Sequence, residues 1–192
     1  MIDSKSEIRP LAATSSRTRS IAFCALSIAI IAVSAWVTVP LGPIPFTLQM
    51  FAVTFAILVL TPKQAIATIA GYLALGAIGV PVFSGMRGGI GVLMGPTGGF
   101  LWGYLIGVAV AAFILSAFRS RGMDNFAVSM LCGVVFTAIA YACGWFQYQI
   151  VAGVGPFESF LVTVAPFIVV DLAKIAAATA AARVVIRALP TR

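Results

Sequence analysis

Asp171 and Lys174 stand three residues apart in a stretch, 159–182, that holds no other charge. On a helix that spacing puts both side chains on one face. If the stretch crosses a membrane, charges at that depth are costly and mark a function by default. Two readings stay open. The pair could neutralise itself as a structural unit, or it could face a cavity and meet a ligand. In the second case the carboxylate accepts hydrogen bonds from N–H donors, and the ammonium neutralises an acidic group. With a helix starting near Pro166, Asp171 lies roughly 8 Å from its outer end.

Two other segments carry polar chemistry in an apolar chain. Pro43-Ile44-Pro45-Phe46-Thr47-Leu48-Gln49 reads either as a stiff turn or as a lid. Its prolines reduce the entropy of closure, and Thr47 and Gln49 supply polar contacts. The stretch 81–99 is rich in glycine and ends in Gly95-Pro96-Thr97-Gly98-Gly99. It reads either as a surface loop or as a place where backbone approaches a ligand closely. The helix that follows would offer free N–H groups to a carboxylate. Arg87, in the same loop, could add charge or simply be solvated.

Other chemistry is missing. The chain has no histidine, and its three cysteines, Cys24, Cys132 and Cys143, lie in apolar runs without a Cys-x-x-Cys pair. They read as free, buried small hydrophobes. Neither a transition-metal site nor a cofactor is expected. There is no P-loop, so ATP hydrolysis would fall to another subunit. No nucleophile or metal cluster supports an enzyme.

The elements that must position these residues follow from composition. Of 192 residues, 61% are hydrophobic and 9% charged, against about 25% charged in a soluble domain. Such a chain is an integral membrane protein, in contact with lipid. A bilayer takes about 17–25 helical residues to cross. Apolar runs at 20–39, 46–60, 65–80, 100–118, 126–146 and 166–189 predict six transmembrane helices, the second and third short. Thr61-Pro62 reads as an N-cap and first helical residue. Residues 157–165 predict a short helix, and 119–125 and 147–155 predict loops. The expected organisation is all-α: a segment over 1–19 and a single six-helix domain over 20–189.

Six spans put both termini on one side. The basic residues Lys5, Arg9, Arg17, Arg19, Lys63, Arg119, Arg121, Arg183, Arg187 and Arg192 then share that side, and only Arg87 lies in an outer loop. The net charge of +7 therefore reports cytoplasmic termini by the positive-inside rule, not nucleic-acid binding. The three polar features converge on the outer face. In the first span, Ala25 and Ala29, with Ala22 and Ala32 nearby, offer small residues at helical spacing, which permit close docking in lipid.

Three motifs carry a family resemblance. They are Pro43–Gln49, then Gly91-Val92-Leu93-Met94-Gly95-Pro96-Thr97-Gly98-Gly99-Phe100, then Pro166-Phe167 followed by Asp171-x-x-Lys174. Together they resemble the BioY family, the biotin-specific S components of energy-coupling factor (ECF) transporters. The resemblance spans about 20–187. Val169-Val170 depart from the Pro-Gly pattern the family implies before the aspartate. The likeness implies an S-component-like bundle in a prokaryotic cell (inner) membrane. It implies biotin capture at the outer face, and as partners a transmembrane coupling subunit and two cytoplasmic ATPases. Asp171 and Lys174 are then ligand contacts, Asp171 toward the ureido group and Lys174 toward the carboxylate. Phe46 and Phe100 would bury the fused rings, with Thr47, Gln49, Gly95, Thr97 and Arg87 around them. Ala25 and Ala29 would belong to the docking face. An S component for another vitamin, and a small secondary transporter using Asp171 and Lys174, are the alternatives.

Overall fold

The computed structural model describes residues 11–40 and 42–188. Lys5, Arg9, Leu189, Pro190 and Arg192, which the sequence reading used, lie outside them. Eight helices and one small hairpin appear in the order α1 (Leu11–Trp36), β1 (Thr38–Val39), β2 (Phe46–Thr47), α2 (Gln49–Val59), α3 (Pro62–Ala77), α4 (Ile90–Met94), α5 (Gly98–Arg119), α6 (Phe126–Ala152), α7 (Pro156–Thr163) and α8 (Ile168–Ala188).

The helices fall where the apolar runs predict them, with boundary corrections that have local causes. α1 starts at Leu11, inside the segment expected to precede the first span. Its polar first turns contain no glycine or proline, so nothing stops the helix. It ends at Trp36, three residues before the expected stop. Val37, Thr38 and Val39 are β-branched and precede Pro40, a combination that favours extended backbone. Thr38 pairs with Thr47 and Val39 with Phe46, antiparallel. The expected lid is thus half a hairpin, and α2 begins only at Gln49. α6 runs to Ala152 instead of 146, because no breaker occurs before Gly153, which adopts the left-handed conformation at φ 67°. The glycine-rich loop contains an unexpected helix, α4, of five residues.

The Thr61-Pro62 start holds as expected. Gln64 N–H donates to Thr61 Oγ1 at 3.4 Å, and Thr61 N–H to Gln64 Oε1 at 3.1 Å, a reciprocal capping box. The three cysteines are free, Cys132 buried and the other two partly so.

Among the described residues, three helices are long and apolar enough to cross a membrane: α1 from Arg17, α5 and α6. The pair α7 and α8, bent by 45°, makes a fourth if counted as one span. The chain is an all-helical membrane protein. At 1.5 Å per residue α2 is about 16 Å long, half a hydrocarbon core.

The tightest packing joins α5 to α6. Gly99, Gly103 and Gly107 recur every four residues on α5 and face Cys143, Ala140 and Phe136 of α6. A Cβ at Gly103 would sit 2.7 Å from Ala140 Cα, and one at Gly107 2.9 Å from Phe136 O. Backbone-to-backbone approach of this kind needs residues without a side chain.

One end of the bundle is basic. Gln64 Nε2 donates to Ser20 Oγ at 2.9 Å, which joins the N-terminal half of α1 to the start of α3. Arg119 donates to Leu58 O at 2.9 Å and pairs with Asp124 at 3.1 Å. Arg183, near the end of α8, lies 4.0 Å from the same Asp124. The ends of α1 and α8 that lead to the termini therefore share this end of the bundle. The hairpin, α4 and α7 occupy the other.

Candidate functional site

At the end away from the arginines the helices enclose a cavity of about 600 Å³, including its open mouth. Its walls are mainly apolar and aromatic, with Ile44, Met50, Phe83, Phe100, Tyr104 and Phe167 among them. Its polar atoms come from Thr47, Gln49, Ser84, Arg87, Thr97, Tyr141, Asp171 and Lys174.

The pair on α8 anchors the cavity. Asp171 is buried, and its Oδ1 accepts from Lys174 Nζ at 2.8 Å. Its other oxygen, Oδ2, accepts from the Tyr141 hydroxyl of α6 at 2.6 Å. The ammonium also donates to the backbone carbonyl of Thr47 in β2, at 2.7 Å and 127 residues away in sequence. It sits 5.7 Å from the centre of the Phe46 ring, which stacks on Phe167 at 4.3 Å. A cation over an aromatic face is favourable.

These contacts bear on whether the pair merely neutralises itself. An isolated Asp–Lys pair at this spacing could close with both oxygens on the ammonium. Here Tyr141 holds one oxygen and Thr47 O draws the ammonium the other way. A carboxylate has about four acceptor positions and an ammonium three donors. Two acceptor positions and one donor remain unused by these contacts, beside a cavity. Charge-assisted hydrogen bonds are the strong ones available to a ligand here.

Gln49 is braced from two sides. Its Nε2 donates to Tyr72 Oη at 2.8 Å, and Tyr72 donates onward to Val82 O at 2.9 Å. Thr47 Oγ1 lies 3.4 Å from Gln49 Oε1 and accepts from the Gln49 backbone N–H at 3.3 Å. The relay ties the start of α2 to α3 and to the turn that follows it. The hairpin end is fastened again by Trp36 Nε1 donating to Pro81 O at 2.9 Å, and by the Thr38 and Ser84 hydroxyls 3.2 Å apart.

The structure brings Thr47, Gln49, Arg87, Thr97, Phe100, Asp171 and Lys174 to one cavity. Phe46 and Gly95 do not line it. Phe46 stands behind the wall, against Phe167 and Lys174. Gly95 supplies its carbonyl to Gln147 Nε2 at 2.8 Å, and Gln147 also donates to Leu93 O at 2.9 Å. The glycines at 98 and 99 likewise serve packing, with Leu93 O, Cys143 O and Gln147 where side chains would be. Arg87 is exposed at the mouth and donates to Ser84 O at 3.1 Å. Ala25 and Ala29 are exposed on α1, far along the chain from the cavity, while Ala32 is buried.

Tyr141, Tyr72 and Phe167 escaped the sequence reading as site residues. Each looks like an ordinary aromatic in an apolar run. For the two tyrosines the signal available was a hydroxyl at membrane depth, which needs a partner when buried; for Phe167 it was its place in the third motif. Gln147, read as part of a loop, is in fact on α6 and holds α4 to that helix.

A family model described as BioY family matches residues 6–191. The chain belongs to the BioY family. Among relatives, "Biotin transporter BioY" of Thermotoga maritima is 43% identical over 118 residues, which cover 62% of this chain and 67% of that protein. "Probable biotin transporter BioY" of Pyrococcus horikoshii is 38% identical over 162 residues, covering 84% and 93%. The solved structure of an S-component for biotin from an ECF-type ABC transporter superposes with a TM-score of 0.84. It is 21% identical and covers 90% of this chain and 93% of that one, so it shares the fold. The three motifs of the BioY resemblance lie on the hairpin and α2, on α4 and α5, and on α8. All three reach the cavity.

Proposed function

We propose that the chain captures biotin at the outer face of a prokaryotic cell membrane and delivers it inward as the S component of an ECF transporter. The observation that carries this is the Asp171–Lys174 ion pair, whose second oxygen accepts from Tyr141 and whose ammonium also donates to Thr47 O, beside an aromatic-walled cavity in a BioY-family chain. Biotin has ureido N–H donors at one end and a carboxylate at the other. Asp171 takes a ureido N–H, and Lys174, whose Nζ is 2.8 Å from Asp171 Oδ1, meets the ureido carbonyl beside it and not the carboxylate at the far end, with Phe100 and Phe167 against the fused rings and the hairpin as a lid. Thr47, Gln49 and Thr97 add polar contacts.

In this reading α1, α2, α3, α5, α6 and α8 each cross the membrane, with α2 and α3 short and the bilayer thinned or the helices tilted to suit. The arginine-rich end faces the cytoplasm, as do both termini. The exposed face of α1 around Ala25 and Ala29 meets a transmembrane coupling subunit, and two cytoplasmic ATPase subunits supply the energy. The chain itself makes and breaks no covalent bond.

Biotin titration of the purified chain tests the proposal. Saturable binding is expected without ATP or an ion gradient. Asp171→Asn and Lys174→Ala should each weaken it at least about tenfold, since a lost hydrogen bond to a charged group is worth ~1.5–3 kcal/mol. A folded protein with no saturable binding would sink the function, and unchanged affinity in both variants would sink the site.

A further inference from the structure

We infer that Tyr141 is a positioning residue that keeps the Asp171 carboxylate open to ligand N–H donors. This rests on the biotin reading of the same cavity. The Tyr141 hydroxyl donates to Asp171 Oδ2 at 2.6 Å while Lys174 donates to Oδ1 at 2.8 Å. The two donors come from different helices, α6 and α8, and occupy different oxygens. Without the hydroxyl, the nearest donor to both oxygens is the ammonium, one helical turn away on α8. The carboxylate would then be free to rotate onto Lys174, and the pair would shut against itself.

The placement of the hydroxyl is specified from two sides. The Tyr141 ring meets Phe100 edge to face, with centroids 6.4 Å apart. Phe100 in turn fills the space above Gly144, where a Cβ would lie 2.5 Å from its ring. A side chain braced this way gives its hydroxyl a narrow range of positions. Tyr141 also lines the cavity, and its oxygen keeps acceptor capacity after donating to Asp171. The two residues therefore present neighbouring acceptors to a ligand that carries paired N–H donors. Lys174 donates to Thr47 O as well, which keeps that donor off the carboxylate.

The test uses Tyr141→Phe in the full purified chain. The variant removes one oxygen atom and leaves the ring contact with Phe100, so the fold should persist. Biotin, an N-methylated ureido analogue and biotin methyl ester are titrated in parallel. Biotin should bind about tenfold to a hundredfold more weakly than to the unaltered chain. The preference for biotin over the N-methylated analogue should shrink by at least about threefold, while the preference for the free acid over the ester, read at the far end of the ligand, stays the same. Equal weakening of all three ligands would make Tyr141 merely structural and overturn the inference, as would unchanged biotin affinity. A ligand-free measurement separates this from the biotin proposal. The chain has only five Asp and Glu residues, so infrared difference spectra can resolve one carboxylate. Tyr141→Phe should shift a carboxylate stretching band, and the shift should vanish in an Asp171→Asn background. No shift overturns the inference even if biotin binds. A shift in a chain that fails to bind biotin leaves the positioning role standing and removes the ligand.

Discussion

α1 and α5 both carry small residues every four positions, and the fold uses them in opposite ways. On α5, Gly99, Gly103 and Gly107 are buried against α6. On α1, Ala25 and Ala29 are exposed, together with Leu26, Ile30 and Val33. In its most apolar stretch α1 is 22% buried, whereas α5 is 50% buried. α1 packs inward through a different stripe, Ile28, Ile31, Ala32 and Ala35, with Ile28 set against Gly71 of α3. Spacing alone therefore does not say whether a small-residue stripe is spent inside the chain or left for lipid or a partner. The facing residue does. Gly103 meets a helix backbone at Ala140, whereas Ala29 is exposed.

The largest expected effect breaks the buried stripe. Gly103→Leu would drive a branched side chain into Ala140 of α6, where the contact is backbone and cannot rotate away. A loss of at least about 3 kcal/mol is expected, seen as a large fall in the thermal unfolding midpoint in detergent or as failure to recover folded protein. Because α5 and α6 also carry Phe100, Thr97 and Tyr141 into the cavity, biotin binding should fall with it. A variant with wild-type stability would show that the two helices separate easily, and the contrast with α1 would lose its basis.

A gentler change sharpens the same point. Gly107→Ala adds a single methyl group 2.9 Å from Phe136 O. The site lies two turns further from the cavity than Gly99, so the strain should remain local. A cost of about 1 kcal/mol is expected, with biotin affinity within about twofold of the unaltered chain. Loss of affinity at this position would mean that the whole α5–α6 pair moves as a rigid unit on binding.

The glycine stripe is hard to see in the sequence, because Gly98 and Gly99 read with the loop before them as backbone for a ligand. What hydrophobicity sets was legible: the places of the main helices, the Thr61 start, the convergence of the 43–49 segment with Asp171 and Lys174. The two intramembrane charges stood out because so little else there is polar. What depends on a partner element was not legible. A two-residue strand such as Thr38–Val39 has no period and exists only through its pairing with Phe46 and Thr47. α4, at five residues, is too short to show a helical repeat. Tyr141 counts as apolar in any hydropathy reading, and its hydroxyl acquires meaning only when Asp171 arrives from another helix.

The smallest expected effect on stability lies on α1, and it decides what the exposed stripe is for. Ala29→Trp adds a large apolar side chain to a face that already carries Leu26, Ile30 and Val33 in the open. Ala29 is exposed, so unfolding should shift by no more than about 0.5 kcal/mol. The cavity lies at the other side of the hairpin's contacts, and biotin affinity should be unchanged. In a membrane, however, a helix that docks through small residues tolerates no bulk at the contact. Co-purification with a coupling subunit should therefore fall several-fold while binding and stability hold. Unimpaired recovery of the complex would leave the α1 face to lipid alone. Lost biotin binding would instead tie α1 to the site through Trp36 and the hairpin, and the two stripes would no longer differ in kind.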